Sequence, residues 1–84
     1  MTREEIFDRV QKVIVEQLDK RPEEITLETN LAEDLQADSL DLVELAMALE
    51  QEFDVTISEE EAEQVRTVAD AVRLLSEKLN VEND

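Results

Sequence analysis

The chain has 84 residues, of which 42% are apolar and 38% are charged, and it contains no Cys, no His and no Gly. These absences exclude disulfides, Ser-His-Asp or Cys-His catalysis, and the glycine loops that bind nucleotide phosphates. We expect a single domain, residues 1–84, with a thin core ordered over about residues 3–79, no metal site and no enzyme activity of its own.

The net charge of −16 is concentrated in the middle of the chain. Residues 1–21 hold five cations and five acids, and residues 66–84 hold three cations and four acids. Residues 22–65 hold fifteen acids and no Lys or Arg. Such a field repels phosphate backbones, which excludes nucleic acid, and it attracts basic patches on protein partners. The alternative, a charge that serves only solubility, does not explain this segregation.

Location signals are absent as well. No apolar run approaches the roughly 18 residues that a membrane span requires. Residues 1–5 lack the apolar stretch of a signal peptide and are too acidic for a transit peptide. We expect a monomeric cytoplasmic protein, or a processed organellar form, which has the same features.

Residues 3–18 are predicted to form the first helix. Thr2 and Glu5 have the spacing of a capping box, and Pro22, preceded by two cations, is expected to end the helix. The apolar residues at helical spacing are Ile6, Val10, Val13 or Ile14, and Leu18, with Phe7 beside them.

Residues 22–37 are predicted to form a long loop. Its apolar residues are expected to anchor it to the core; they are Ile25, Leu27, Leu31 and Leu35. A loop of this length in so small a domain usually has a function.

Residues 39–53 give the strongest helix prediction, with Asp38 as the N-cap and Asp41 three residues on. The core-facing stripe consists of Leu42, Leu45, Ala46, Leu49 and Phe53. A second apolar stripe consists of Leu40, Val43 and Met47, flanked by Asp41, Glu44 and Glu50. This outer stripe either forms an exposed docking surface or packs within the bundle.

The last third of the chain predicts a connector and two helices. Residues 54–57 are a β-branched connector, and Ser58 with Glu61 opens a short helix that ends near residue 65. Thr67 with Asp70 opens a helix over roughly 68–80, and the tail, 81–84, is expected to fray. The apolar face of that helix consists of Val68, Ala71, Val72, Leu75 and Leu79. The chain is therefore predicted to be all-α, a four-helix bundle of three longer helices and one short helix, with a long first loop.

The segment of residues 33–41 is the chemically informative part of the sequence. It places the hydroxyl of Ser39 at a helix N-terminus, where backbone N–H groups favour an attached phosphate. The competing interpretation is that Ser39 only helps to cap the helix.

Asp38-Ser39-Leu40 resembles the Asp-Ser-Leu signature of acyl carrier proteins, and residues 41–53 are similar to the second helix of that family. Residues 54–65 and 67–72 resemble its third and fourth helices, so the similarity covers residues 3–79. Family members commonly have Gly two residues before the signature, where this chain has Gln36, and Pro where it has Ser58.

The resemblance implies that Ser39 receives a phosphopantetheine arm from coenzyme A, transferred by a separate Mg²⁺-dependent enzyme. Asp38 matches the family position that helps to coordinate the metal of that transferase. The arm's thiol then carries growing fatty acyl chains as thioesters. The implied partners have basic patches; they are phosphopantetheinyl transferase, acyltransferases, ketoacyl synthases, reductases and dehydratases. The implied partner surface is Leu40, Asp41, Val43, Glu44, Met47, Glu50, Glu59, Glu60 and Glu63. The implied acyl pocket is Leu49, Ile57, Ala62 and Val65.

Two alternatives stay open at this point. One is a carrier of polyketide, aminoacyl or peptidyl groups, which the acidity of the second helix disfavours. The other is a purely structural acidic adaptor in which Ser39 serves as a cap.

Overall fold

The computed structural model describes residues 1–80, which form four helices in the predicted order. They are α1 (Arg3–Leu18), α2 (Ser39–Phe53), α3 (Glu59–Gln64) and α4 (Val68–Lys78), and a 3₁₀ turn spans Pro22–Glu24. Within the described residues there is no strand, only an isolated antiparallel bridge between Asn30 and Thr67. The prediction of an all-α bundle with a long first loop is confirmed.

Each of the four helices begins at a capping box, in which two residues three apart satisfy each other's backbone N–H groups. The pairs are Thr2 with Glu5, Asp38 with Asp41, Ser58 with Glu61, and Thr67 with Asp70. All four pairs were predicted from their spacing, and all four are confirmed.

The predicted bounds 3–18 and 39–53 are those of α1 and α2, whereas α3 and α4 end one and two residues before their predicted ends. α1 ends at Leu18 because Asp19 adopts the left-handed conformation, with φ 54°. Pro22 was expected to end α1, but it begins the 3₁₀ turn instead. α4 ends at Lys78, two residues before the predicted end. The expected fraying of the tail lies outside the described residues.

The core is built by three of the four helices and the long loop. α1 packs against both α2 and α4, and α3 contributes no fully buried side chain. The core side chains from the helices are Ile6, Val10, Val13, Ile14, Leu45, Leu49, Phe53, Val68, Ala71, Val72 and Leu75. The apolar stripes of α1, α2 and α4 therefore face one another as their spacing predicted.

The long loop is fixed to this core by three of its four predicted anchors, since Ile25, Leu31 and Leu35 are buried. The side-chain amide of Gln11 on α1 also donates to the carbonyl oxygens of Pro22 at 3.0 Å and Ile25 at 3.1 Å. The first half of the loop is therefore attached to α1 by both apolar and polar contacts.

Leu27 was predicted to be an anchor, and that prediction is wrong because its side chain is 48% exposed. Its backbone carbonyl holds the loop instead, accepting from the Ala69 N–H at 2.9 Å. The Thr29 carbonyl likewise accepts from the Val68 N–H at 3.1 Å. The loop thus satisfies N–H groups that a helix start leaves without intrahelical partners.

Candidate functional site

Ser39 is the first residue of α2, and its side chain is exposed. The cap of this helix is formed by its neighbours. The Asp38 carboxylate accepts from the Asp41 N–H at 2.9 Å, and the Asp41 carboxylate accepts from the Asp38 N–H at 3.2 Å. The interpretation of Ser39 as the cap is therefore wrong, because Asp38 fills that role and the hydroxyl is left accessible at the helix start.

The loop that leads into Ser39 is tightly wound. The Asn30 side chain accepts from the N–H groups of Ala32 at 3.0 Å and Glu33 at 2.8 Å. The Ala37 N–H donates to the Leu31 carbonyl at 3.2 Å. These bonds fix the chain just before α2, so the position of Ser39 is set by local structure.

Gln36, which stands where glycine is common, has φ 57°. This left-handed conformation brings the side chain of a non-glycine residue close to its own backbone, at a cost of about 1 kcal/mol. Asp19, Asp54 and Asn80 also have positive φ, but Asp and Asn tolerate that region better than Gln does. Gln36 is therefore the most strained of these four positions.

An apolar cavity of about 490 Å³ opens beside Ser39, which lies on its lining. The four predicted acyl-pocket residues, Leu49, Ile57, Ala62 and Val65, all line this cavity. Its volume falls within the roughly 300–1,000 Å³ of small-molecule sites in proteins. The structure therefore brings the exposed hydroxyl and these four side chains to one place.

Further lining residues were not assigned to the pocket from the sequence. They include Leu31 from the loop, Leu42, Leu45, Ala46 and Glu50 from α2, and Ala71, Leu74 and Leu75 from α4. The inner stripe of α2 could have indicated Leu42 and Ala46. No sequence signal indicated Leu31 or Leu74, because their placement depends on how the loop and α4 pack against α2.

The outer stripe of α2 is exposed rather than packed within the bundle. Leu40, Val43 and Met47 have 66%, 56% and 54% of their surface exposed. Val43 and Met47 also line the cavity, so the exposed stripe continues into its mouth. The choice that the sequence left open between packing and exposure is thereby decided for exposure.

The acids predicted to meet partners have different environments. The side chains of Glu44, Glu59, Glu60 and Glu63 are exposed. Asp41 is half-buried and engaged in the helix cap. Glu50 is half-buried, and its carboxylate accepts from the backbone N–H of Ile57 at 2.8 Å. Glu50 therefore has an internal partner that the sequence did not predict.

α3 forms one side of the cavity and is tied to α4 by an ion pair. The Lys78 ammonium lies 2.9 Å from the Glu61 carboxylate. The pKa of Glu61 is lowered, first by the hydrogen bond from the Ser58 N–H and then by Lys78. The pKa of Asp70 on α4 is lowered by hydrogen bonds from the N–H groups of Arg66 and Thr67. Both carboxylates therefore stabilise the fold most in their ionised form.

Residues 1–80 offer neither a metal site nor a membrane span. No three or more carboxylate, imidazole or thiol side chains in that range are grouped so that they could hold a metal ion. None of the helices described there combines the length and the apolar character needed to cross a membrane.

Residues 8–75 match the protein family described as "Phosphopantetheine attachment site". The chain is 50% identical to the acyl carrier protein of Petrotoga mobilis over 84 residues, which cover all of this chain and 99% of that protein. It is 54% identical to the acyl carrier protein of Wolinella succinogenes over 70 residues, which cover 83% of this chain and 92% of that protein.

Proposed function

The chain belongs to the acyl carrier protein family, whose members are carriers rather than enzymes and use phosphopantetheine as their cofactor, and we propose that Ser39 is its attachment residue. The observation that supports the proposal is that two neighbouring residues at the start of α2 have different roles. Asp38 caps the helix, and the Ser39 side chain stays exposed at the edge of the cavity.

The residues around Ser39 fit a phosphopantetheine group. A phosphate joined to the Ser39 oxygen would lie at the N-terminus of a 15-residue helix, where free N–H groups and the helix dipole favour negative charge. The group would supply the thiol that this Cys-free chain lacks for thioester chemistry. On attachment, the Ser39 oxygen would form a bond to phosphorus and release its proton, and the bond between the two linked phosphates of coenzyme A would break, so that its nucleotide part leaves.

The apolar cavity is the proposed shelter for the acyl chain. Leu49, Ile57, Ala62 and Val65 would contact the chain, and Ser39 on the same lining places the tether at the opening. Removing hydrocarbon from water stabilises the sheltered state by about 0.8 kcal/mol for each CH₂ group. Shelter of this kind would also keep water away from the thioester.

The proposed partner surface centres on the exposed stripe of Leu40, Val43 and Met47. Exposed acids flank it on α2 and α3; they are Glu44, Glu59, Glu60 and Glu63. An apolar centre with an acidic rim suits enzymes whose docking sites are apolar with basic borders. We assign this surface to binding of the transferase, acyltransferases, ketoacyl synthases, reductases and dehydratases. Asp38 would also help to coordinate the metal of the transferase.

Fatty acyl chains are the proposed cargo, which the acidic second helix favours over polyketide, aminoacyl or peptidyl groups. We further propose that residues 1–84 act as a single carrier domain, as a monomer, in the cytoplasm. Mass spectrometry of the loaded protein after exposure to the partner enzymes and their substrates distinguishes these kinds of cargo.

The experiment that tests the attachment residue is incubation with coenzyme A, Mg²⁺ and a broad-specificity transferase, followed by intact mass measurement. The wild type gains one phosphopantetheine, and Ser39→Ala gains none. Ser58→Ala is the matched control, since Ser58 is also an exposed serine at a helix start, and it gains the group as the wild type does. If the wild type gains nothing while a known carrier is modified, the acidic adaptor is the better description.

A further inference from the structure

The connector between α2 and α3 is held mainly by Glu50, and α3 closes one side of the cavity. The Glu50 backbone carbonyl accepts from the Asp54 N–H, which caps α2, and from the Val55 N–H at 3.1 Å. Its carboxylate accepts from the Ile57 N–H at 2.8 Å. One residue thus holds three N–H groups of the four-residue connector.

Only the third of these contacts depends on the side chain. The carbonyl bonds persist with any residue at position 50, so truncating the side chain leaves the end of α2 capped. The bond to Ile57 is a charge-assisted one, which is roughly twice as strong as a bond between neutral groups. Glu50→Ala therefore removes the tie to Ile57 together with the part of the cavity lining that the Glu50 side chain supplies, and Glu50→Gln, which keeps the size of that side chain, separates the two effects.

The tie to Ile57 matters for the cavity because Ile57 leads directly into α3. Ile57 itself lines the cavity, and the next residue, Ser58, is the N-cap of α3. α3 has six residues and no fully buried side chain, so little apolar packing fixes its position. Its other side-chain tie in the described residues is the ion pair of Glu61 with Lys78.

We propose that Glu50 is a positioning residue, which holds the segment 57–65, called here the α3 wall, against the acyl cavity. It does so through the Ile57 N–H, rather than by contacting partner enzymes. This inference rests on the proposed function only for the second of its two tests, which measures release of the acyl group. It corrects the simplest interpretation of Glu50, in which every acid along α2 belongs to one docking surface.

The first test measures amide hydrogen exchange on the full unmodified chain. Glu50→Ala is expected to lower the protection of the Ile57 amide about tenfold, the size of a lost hydrogen bond to a charged group. Glu50→Gln retains a carbonyl oxygen as acceptor, so its protection lies between that of Glu50→Ala and that of the wild type. Glu44→Ala is the matched control, since Glu44 is exposed on the same helix and is not bonded to the connector. It leaves the exchange of Ile57 unchanged.

The second test uses the protein loaded with an eight-carbon acyl thioester. Release of the acyl group by hydroxylamine is expected to be about threefold faster in Glu50→Ala than in the wild type, because an opened wall exposes the thioester. Glu50→Gln restores most of the slow release. The rate of modification by the transferase falls in Glu44→Ala and changes less in Glu50→Gln, although both variants lose one negative charge.

The results that overturn the proposal are distinct from those that overturn the carrier function. Wild-type exchange at Ile57 in Glu50→Ala overturns it, and so does a Glu50→Gln variant that behaves like Glu50→Ala in both tests. Equal slowing of the transferase by Glu44→Ala and Glu50→Gln would return Glu50 to the docking surface. Failure of the wild type to accept the arm affects the carrier function alone, since the exchange test requires no arm.

Discussion

The two helices that flank the cavity, α2 and α3, are held in different ways. α2 has 15 residues and buries Leu45, Leu49 and Phe53 in the core, whereas α3 has six residues and buries none. α2 is fixed by fully buried apolar side chains, whereas the α3 wall packs against the core only through partly buried ones, Ile57 and Val65, and is held also by a few polar contacts. One small domain thus combines a helix anchored by fully buried side chains with a neighbouring helix that has none.

The largest expected effect is the loss of stability caused by a substitution in the packed core, compared with the same substitution in the α3 wall. Val68→Ala, in the packed core of α4, should lower the free energy of unfolding by about 2 kcal/mol, because it removes two buried carbon groups and leaves a cavity. Val65→Ala, at the end of the α3 wall, should cost less than about 1 kcal/mol, since Val65 is half-buried. Urea unfolding measures both variants, and equal losses would show that the α3 wall is as firmly packed as the core.

The second prediction concerns the strained residue before α2. Gln36→Gly should raise the free energy of unfolding by up to about 0.5 kcal/mol, because glycine adopts φ 57° without strain and only part of the gain is lost to the unfolded chain. The hydrogen-exchange rates of the α3 amides should equal those of the wild type, since Gln36 lies in the loop just before α2. Glu28→Gly, at a loop residue without positive φ, is the control and should not stabilise the protein. A destabilised Gln36→Gly would contradict the assignment of strain.

A comparison of the structure with the sequence predictions shows which features the sequence could predict and which it could not. The four capping boxes were predicted because each depends on residues three apart. The burial of Leu27 was predicted wrongly, because its carbonyl rather than its side chain meets α4. The bond from the Ile57 N–H to Glu50 was not predicted, because it joins residues on either side of a helix end. In the sequence Glu50 also looks like the exposed acids of α2. The proposed attachment serine was identified from its motif and stays a prediction, whereas most of the cavity lining could not be predicted because it depends on packing between distant segments.

The third prediction tests whether both helices belong to the docking surface. Glu44→Lys on α2 should slow association with the transferase about threefold at low salt and less at high salt, because salt screens the field. Glu59→Lys gives the same measurement for α3. Glu16→Lys, on α1 in the charge-balanced segment of residues 1–21, makes an identical change in net charge and should have little effect. Equal slowing by Glu16→Lys would indicate a response to total charge rather than to a surface.

The smallest expected effect is the pH dependence of stability that comes from one carboxylate on α4, Asp70, and from one on α3, Glu61. The pKa of Asp70 is lowered by the N–H groups of Arg66 and Thr67, so its stabilisation is complete above its ordinary value of 3.8 and is lost as the pH falls through the lower folded value. Asp70→Asn should therefore be less stable than the wild type at pH 7, and the difference should shrink below about pH 3.8.

Glu61, also with a lowered pKa, should show the same sign of pH dependence in the local exchange of α3 amides, from its ordinary value of 4.5 downwards. Its substitution Glu61→Gln should affect global unfolding less than Asp70→Asn does. Glu77→Gln is the control, since Glu77 is an exposed acid on α4 that contributes to the end of the helix only through its backbone carbonyl, which the substitution leaves in place. A difference between Asp70→Asn and wild type that persists unchanged at pH 2.5 would contradict the role of the ionised carboxylate.

One exposed hydroxyl at the start of α2 is the proposed tether for the acyl-carrying arm, and the roles of the cavity and of both flanking helices depend on it. The most direct measurement is fragmentation mass spectrometry of the transferase-treated wild type, which locates the added group on the chain. We predict that the added mass lies on Ser39. Its location on Ser58, or on any other residue, would contradict the account.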